Sequence, residues 1–228
     1  MNEFTFLKDK VVLVTGVSTT DERYKSIGQA LAELLARNGA QVIAVSRDQE
    51  KCEKAISHLR KEELSIQSKQ CDITDHSQVE SLFKWAEETY GCLNYLINNA
   101  GTEGKLEPID ELSLDNIETV IATNGKGTLY CLREGIKLMK LSLDKDNKKD
   151  CSIINVSSIA AEIGMPNTSV YAYSKAGIAS ITRVATIELN EYALKTNTSP
   201  IRVNAVLPGV IRTPMHGRFL DDNGLDGI

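Results

Sequence analysis

The sequence KVVLVT occupies residues 10–15 and is followed at once by Gly16. Such a short run of apolar and β-branched residues predicts a strand that is buried on both faces of a sheet. A helix is predicted next, over residues 27–38, and Gly39 would end it. The apolar face of this helix is expected to consist of Ala30, Leu31, Leu34 and Leu35.

The alternation of apolar runs with amphipathic stretches continues along the rest of the chain. Further strands are predicted at residues 41–46, 65–71, 93–98, 152–156 and 201–206. Further helices are predicted at residues 49–63, from Asp75 onward with Gln78 completing a capping box, at 113–140 and at 170–194. Glycines at 125 and 127 would interrupt the third of these. This order predicts the α/β class, with a Rossmann-type doubly wound parallel β-sheet and helices on both faces.

The composition argues against several classes of protein. The 228 residues include 26 Lys and Arg and 31 Asp and Glu, and the resulting net charge of −5 disfavours binding to nucleic acid or to an anionic membrane. We expect a cytoplasmic protein, because the N-terminus lacks a signal-like apolar core and no apolar run approaches ~20 residues. The five scattered cysteines are typical of reduced thiols. The three histidines lack metal-ligand spacing, so no metal site is expected.

A candidate phosphate site lies where the first strand meets the first helix. Thr15 and Gly16 end the strand, and Ser26, Ile27 and Gly28 open the helix. The N–H groups at a helix N-terminus bind phosphate, and glycine lets the backbone approach it closely. Because the two glycines are far apart in the chain, an ordinary strand-to-helix loop is an equally good interpretation of this feature alone.

A tyrosine and a lysine stand four residues apart on a predicted helix, at Tyr171 and Lys175. This spacing places both side chains on one face, where the cation would lower the tyrosine pKa from ~10 towards the range useful for proton transfer. Ser158 lies thirteen residues before Tyr171, where its hydroxyl could bond to a substrate carbonyl oxygen. Ser157 is the alternative for this role.

Together and in this order, these segments resemble the short-chain dehydrogenase/reductase family from about residue 8 to residue 214. Segment 15–28 is similar to the family's T-G-x-x-x-G-I-G loop, although it is lengthened and has Ser26 in place of the middle glycine. Asn98-Asn99-Ala100-Gly101 resembles the N-N-A-G signature, and segment 208–213 resembles the P-G-x-x-x-T segment. The resemblance implies a single dinucleotide-binding and catalytic domain over residues 1–228.

The resemblance also implies a role for each matching residue. Tyr171 would donate the proton and Ser158 would orient the carbonyl. Lys175 would lower the tyrosine pKa and hold the nicotinamide ribose, and Asn124 would hold a water that links the lysine to solvent. Asp72 would bind the adenine amino group. The implied cofactor-binding residues are Gly16, Lys25, Ser26, Ile27, Gly28, Ser46, Arg47, Asp72, Ile73, Asn99, Ala100, Gly101, Tyr171, Lys175, Pro208, Gly209, Ile211 and Thr213.

The end of the second strand indicates which nicotinamide cofactor to expect. An acidic residue there would bind the ribose 2′-hydroxyl of NAD, whereas this chain has neutral Ser46 followed by Arg47. Arg47 and Lys25 would suit the 2′-phosphate, so we expect NADP(H) to be preferred over NAD(H). In the alternative interpretation, Asp48 binds the ribose and Arg47 is only solvated.

We therefore expect an NADP-dependent oxidoreductase that interconverts a small-molecule ketone and a secondary alcohol, similar to 3-oxoacyl and carbonyl reductases. The alternative is a non-enzymatic or inactive member of the family that binds a cofactor or another protein. Because the chain ends soon after Thr213, we expect the final strand and the C-terminal lid, which would begin at residues 219–224, to be incomplete. From relatives we expect a homodimer or homotetramer formed through the helices at 113–140 and 170–194.

Overall fold

The computed structural model describes residues 4–19 and 23–215. Within these residues, six parallel strands form one sheet in the order β3-β2-β1-β4-β5-β6. The strands are β1 Val11–Thr15, β2 Gln41–Ser46, β3 Ile66–Gln70, β4 Tyr95–Asn98, β5 Cys151–Val156 and β6 Ile201–Val206. The strand order reverses between β1 and β4, so the predicted Rossmann-type α/β fold is confirmed. The lid expected at residues 219–224 lies outside the described residues.

Six α-helices connect the strands in the described part of the chain. They are α1 Ile27–Arg37, α2 Gln49–Lys61, α3 His76–Tyr90, α4 Leu114–Val120, α5 Thr128–Lys145 and α6 Ser169–Thr196. A π-helical turn at Ile121–Gly127 joins α4 to α5, at the place where the glycines predicted an interruption. Short 3-10 helices lie at Thr5–Leu7 and Ile159–Ala161. None of the described helices combines the length and the apolar character that crossing a membrane requires.

The two faces of the sheet carry separate hydrophobic clusters. In β1, Val11 and Leu13 belong to a cluster with residues of α3, α5 and α6, whereas Val12 and Val14 belong to a cluster with residues of α1 and α2. Neighbouring residues of a strand point to opposite faces, so the central strands are buried on both sides. This double burial explains the nearly continuous apolar sequence of β1.

The buried face of α1 differs from the sequence expectation. Leu34 is 45% exposed and Ala30 is exposed, so neither belongs to the core. The buried residues are Gly28, Ala32, Leu35 and Ala36. Gly28, which has no side chain, lies directly against the end of β1. The buried face of α1 is therefore rotated relative to the predicted face.

The start of α3 differs in one hydrogen bond from the predicted capping box. The Asp75 carboxylate accepts hydrogen bonds from the N–H groups of Ser77 and Gln78, as a cap should. The Gln78 side chain, however, accepts from the N–H of Asp72 at 2.9 Å, and not from that of Asp75. This bond fixes the turn that follows β3, which lies at the site described below.

Candidate active site

A cavity of about 590 Å³ opens at the carboxyl ends of the strands, where the strand order reverses. Its walls come from the segments that follow each of the six strands and from the first turns of α1 and α6. This edge of a parallel sheet is where ligands bind in doubly wound folds. All the predicted site residues except Lys25 and Asn124 line the cavity.

Gly16 and Gly28 lie in close contact in the cavity wall, where β1 meets α1. A Cβ on Gly16 would lie 2.7 Å from the Cα of Ala100, and a Cβ on Gly28 would lie 2.3 Å from the carbonyl oxygen of Gly16. The Asn99 side-chain amide donates to the carbonyl oxygens of Thr15 and Gly16, at 2.9 and 3.3 Å. Three distant segments therefore meet closely here, and the glycines leave the backbone beside the N-terminus of α1 open to a ligand.

Ser26, which replaces the middle glycine, closes the lengthened loop on itself. Its hydroxyl donates to the carbonyl oxygen of Ser18 at 2.8 Å and accepts from the N–H of Gln29 at 3.1 Å. The first bond holds the incoming chain beside the helix, and the second caps α1. The loop can therefore be longer than the family pattern while its two ends stay at the cavity.

Ser46 and Arg47 line the cavity at the end of β2. Lys25 and Asp48, the two other charged residues considered for cofactor binding, do not line it. Lys25 lies outside the cavity wall, because its ammonium group is paired with the Glu33 carboxylate at 2.5 Å. Asp48 caps α2 by accepting from the N–H of Lys51 at 3.0 Å. Of Lys25, Arg47 and Asp48, only Arg47 therefore lines the cavity.

Asp72 and Ile73 line the cavity just after β3. The Asp72 carboxylate accepts hydrogen bonds from the N–H and the hydroxyl of Thr74, at 3.0 and 2.8 Å. Ile73 packs onto the π-helical turn, where a Cβ on Gly127 would lie 2.7 Å from its Cδ1. Both side chains are thus held in place by neighbours at the cavity wall.

Ser158, Tyr171 and Lys175 meet at the other end of the cavity. The hydroxyl of Ser158 accepts a hydrogen bond from the N–H of Ala160 at 3.2 Å, and it is close enough to Tyr171 to affect the pKa of the phenol. Lys175 is only 4% exposed; its Nζ lies 5.7 Å from the Tyr171 ring centroid and donates to the Val156 carbonyl oxygen at 2.8 Å. Ser157, the alternative to Ser158, instead donates to the carbonyl oxygen of Lys175 at 2.8 Å.

The pKa values at this end differ from the sequence expectation. Burial raises the pKa of Tyr171, the neighbouring Ser158 hydroxyl opposes this increase, and the negative charge of Glu103 adds to it. The expected lowering of the tyrosine pKa by the neighbouring cation is therefore not found, because the loss of solvation is the larger effect. Burial also lowers the pKa of Lys175 from 10.5 to about 8.

Asn124 is fully buried and lies behind the cavity wall. Its amide oxygen accepts from the N–H of Thr102, and its amide nitrogen donates to the Thr102 carbonyl oxygen, both at 2.8 Å. The nitrogen also donates to the hydroxyl of Ser174 on α6 at 2.9 Å. A Cβ on Gly101 would lie 3.2 Å from Asn124 Oδ1 and 3.3 Å from Lys175 Nζ, so both groups stand just behind Gly101.

The segment after β6 closes one side of the cavity, and Pro208, Gly209, Ile211 and Thr213 lie in its wall. It is tied to the segment after β5 because the N–H of Ile159 donates to the Pro208 carbonyl oxygen at 3.0 Å. Sequence reasoning missed three wall residues that directly follow Gly101. They are Thr102, Glu103 and Gly104. Their position beyond the carboxyl end of β4 is the signal that could have identified them.

The residues present fit a nicotinamide dinucleotide. Gly16 and Gly28 leave a concave backbone surface that a Cβ at either position would fill, beside the N-terminus of α1. From this contact the same cavity extends on one side to Arg47 and Asp72, after β2 and β3, and on the other side to Tyr171 and Lys175, beside β5. It therefore offers phosphate-binding N–H groups between one end of the cavity and the proton-transfer groups at the other.

Comparison with known proteins agrees with this geometry. The family model for short chain dehydrogenases matches residues 10–224. A 3β-hydroxysteroid dehydrogenase of Mediterraneibacter gnavus is 31% identical over 214 residues, which cover 94% of this chain and 70% of that protein. Levodione reductase of Leifsonia aquatica is 29% identical over 92% of this chain and 73% of its own length.

A solved structure has the same fold. The 3-ketoacyl-(acyl-carrier-protein) reductase from Brucella melitensis, complexed with NADH, superposes with a TM-score of 0.80 at 27% identity, and the match covers 92% of this chain and 78% of that one. The family match thus covers most of the sequence and agrees with the structure. The agreeing features are the sheet order, the glycine contact and the group formed by Ser158, Tyr171 and Lys175. The chain belongs to the short-chain dehydrogenase/reductase family and is an NAD(P)-dependent oxidoreductase.

Proposed function

We propose that this oxidoreductase prefers NADP(H) and interconverts a ketone and a secondary alcohol. The observation that carries the proposal is that Ser158, Tyr171 and Lys175 line the same cavity as the Gly16–Gly28 contact. Nicotinamide supplies a hydride acceptor or donor when it is bound. The chain's own residues would bind the carbonyl, exclude water and move a proton.

Tyr171 would donate its phenolic proton to the carbonyl oxygen during reduction. Its raised pKa supports this direction, because burial keeps the phenol protonated at neutral pH. Ser158 would donate a hydrogen bond to the same oxygen, because it lines the same cavity as Tyr171. Oxidation of an alcohol needs the phenolate instead, so it would be favoured at higher pH.

Lys175 would replace the proton that Tyr171 gives up. Its pKa of about 8 is close to neutrality, so the ammonium group releases a proton more readily than an ordinary lysine does. A water held by Asn124 would connect Lys175 to solvent, and the position of both residues behind Gly101 supports this relay. The side chain of Asn124 would in addition keep segment 102–104 in place.

The preference for NADP(H) would depend mainly on Arg47. Arg47 lines the cavity next to the neutral Ser46, while the nearby carboxylate of Asp48 is used to cap α2. A planar guanidinium group can bind a phosphate through two parallel hydrogen bonds. Lys25 would contribute less than Arg47, because Glu33 holds its ammonium group.

Titration of the 228-residue chain with NADPH and with NADH tests this proposal. Binding can be followed by calorimetry or by quenching of the single tryptophan, Trp85. We expect NADPH to bind about tenfold more tightly than NADH, which corresponds to about 1.4 kcal/mol. Reduction of simple ketones with NADPH would then be assayed. Equal affinity for NADPH and NADH would refute the NADP preference. Failure to bind either cofactor would refute the proposed function.

We also propose a cytoplasmic homodimer or homotetramer in which residues 1–228 act as one domain. The exposed apolar residues on α5 and α6 support assembly through these helices. They include Leu129, Leu141, Val184 and Ile187. The five cysteines are all unpaired, which suits a reducing compartment. Light scattering of the purified chain measures the assembly state, and a monomer at micromolar concentration would contradict it.

A further inference from the structure

Ser174 is a buried serine of α6 that lies between Tyr171 and Lys175 in the chain and outside the cavity wall. It is 3% exposed. Its hydroxyl donates to the carbonyl oxygen of Tyr171 at 2.7 Å and accepts from the side-chain amide of Asn124 at 2.9 Å. The hydroxyl therefore joins the helical turn that carries the tyrosine and the lysine to the π-helical turn that carries Asn124.

The other hydrogen bonds of the Asn124 side chain run to the segment after β4. The amide oxygen accepts from the N–H of Thr102, and the amide nitrogen donates to the Thr102 carbonyl oxygen, both at 2.8 Å. Together with Ser174, this gives the amide nitrogen two acceptors for its two hydrogens, so the orientation of the amide is fixed. Of these bonds to described residues, the one to Ser174 is the one that reaches α6.

Lys175 is held by a different element, because its Nζ donates to the carbonyl oxygen of Val156 on β5 at 2.8 Å. Asn124 and Lys175 nevertheless approach the same point. A Cβ on Gly101 would lie 3.2 Å from Asn124 Oδ1 and 3.3 Å from Lys175 Nζ. The separation of the amide and the amine thus depends on how the π-helical turn is attached to α6, and Ser174 provides a hydrogen bond for this attachment.

The π-helical turn Ile121–Gly127 is a place where such an attachment matters. Single π-helical turns are rare and are frequent at functional sites. Asn124 is fully buried in this turn, so water competes little for its hydrogen bonds. Without the Ser174 hydroxyl, one hydrogen of a buried amide would lose its acceptor. Because a buried donor without a partner is costly, the amide would move to find another one.

We propose that Ser174 is a positioning residue for the proton transfer that Tyr171 and Lys175 carry out. The inference rests on the proposed ketone–alcohol function. During reduction a proton would pass from solvent to Lys175, from Lys175 to Tyr171, and from Tyr171 to the carbonyl oxygen that receives the hydride of the nicotinamide at its carbon. Ser174 keeps its own proton on the Tyr171 carbonyl oxygen and acts by holding Asn124 beside Lys175.

Ser174→Ala and Ser174→Thr provide the first test, because alanine removes the hydroxyl and threonine keeps it. For the ketone that the wild type reduces fastest, we expect kcat to fall about tenfold in Ser174→Ala, as expected for the loss of one buried hydrogen bond. The solvent deuterium isotope effect on kcat should increase, because proton transfer becomes the slower step. The dissociation constant for NADPH should change less than about twofold, because the Gly16–Gly28 contact is untouched.

Ser174→Thr should restore most of the wild-type kcat. If the alanine and threonine variants are equally slow, the hydroxyl is not the reason for the fall, and the inference is overturned. The same conclusion follows if Ser174→Ala weakens NADPH binding and leaves kcat unchanged.

Ser142→Ala is the matched control for a loss of stability. Ser142 is a fully buried serine of α5 outside the cavity wall. Its hydroxyl donates to the Leu138 carbonyl oxygen at 2.8 Å and accepts from the N–H of Leu93 at 3.3 Å, so it makes the same kinds of bond as Ser174. Both alanine variants should lower the free energy of unfolding, whereas only Ser174→Ala should lower kcat. An equal fall of kcat in both would leave Ser174 with a role in stability alone.

A double-mutant cycle tests whether Ser174 acts through Asn124. In the Asn124→Ala background, which already lacks the amide, Ser174→Ala should lower kcat less than about twofold. If the fall there is again about tenfold, Ser174 acts by another route and the inference is overturned.

The last measurement separates the inference from the proposed function. If the wild type reduces ketones and Ser174→Ala keeps its kcat, the inference is wrong while the function stands. If the wild type reduces no ketone, the proposed function fails, and NMR of the chain with isotope-labelled asparagine then measures the attachment. Ser174→Ala should speed hydrogen exchange of the Asn124 side-chain amide about tenfold, and Ser142→Ala should leave it unchanged. Unchanged exchange in Ser174→Ala overturns the inference.

Discussion

Gly28 lies so close to Gly16 that a Cβ on Gly28 would stand 2.3 Å from the Gly16 carbonyl oxygen. The contact joins the first turn of α1 to the end of β1 at the cavity wall. It is a backbone-to-backbone contact, so no side chain can rotate away to make space.

Gly28→Ala should therefore destabilise the fold by about 1–3 kcal/mol, the usual cost of overpacking, and should weaken binding of NADPH. Gly177→Ala is the control, because Gly177 is a helical glycine whose added Cβ would meet nothing within 4 Å. That control should stabilise the chain by roughly 0.5–1 kcal/mol through the better helix propensity of alanine. Urea unfolding of both variants compares them; equal stability changes would contradict the steric argument.

Tyr171→Phe should reduce ketone turnover by at least about 10²-fold, the usual contribution of a positioned proton donor. The affinity for NADPH should change little, because the aromatic ring is retained. Tyr173→Phe is the control, since Tyr173 is 69% exposed on the same helix. A Tyr171→Phe enzyme that keeps wild-type turnover would remove Tyr171 from the proposed chemistry.

Arg47→Ala should weaken NADPH binding by about tenfold and leave NADH binding nearly unchanged, because the lost bonds are those to the 2′-phosphate. Lys25→Ala should have a smaller effect than Arg47→Ala, since Lys25 is already paired with Glu33. Calorimetric titration of both variants with both cofactors measures the difference. A Lys25→Ala effect as large as that of Arg47→Ala would show that the ion pair opens when the cofactor binds.

Lys175 should make the stability of the folded protein depend on pH. Its pKa is about 8 in the folded protein, against 10.5 for an ordinary lysine, so the unfolded chain binds more protons between these values. Stability must then rise with pH across this window. Relative to that of Lys175→Met, the free energy of unfolding of the wild type should increase by about 2 kcal/mol between pH 7 and pH 10.

Urea unfolding at the two pH values measures this gain. Lys84→Met, at an exposed position of α3, is the control and should follow the pH dependence of the wild type. If the free energies of unfolding of the wild type and Lys175→Met differ by the same amount at both pH values, the Lys175 amine is not desolvated in solution.

The sheet and much of the cavity wall could be predicted from the sequence, because buried parallel strands are apolar along their whole length. The strands predicted at 41–46 and 201–206 have the observed bounds of β2 and β6. The ends of parallel strands meet at one edge, so residues such as Asn99, Ser158 and Pro208 could be placed together before their contacts were known.

The parts that could not be predicted depend on contacts between distant residues or on burial. The pairing of Lys25 with Glu33 follows from the path of a loop that is longer than the family pattern. The bonds of Asn116 to Lys105 link two positions with no sequence signature. The pKa shift of Lys175 arises from desolvation, which the spacing to Tyr171 does not reveal.

The hydrogen bonds of Asn124 to Thr102 and of Asn116 to Lys105 have a consequence for how this enzyme can change. Asn124 and Asn116 bond to main-chain atoms of residues 102 and 105, so they do not depend on the side chains at 103 and 105. Gly104 must stay glycine, but position 103 can be exchanged while the path of the backbone is preserved. One side chain of the cavity wall can therefore vary among descendants or engineered variants while the rest of the scaffold stays intact.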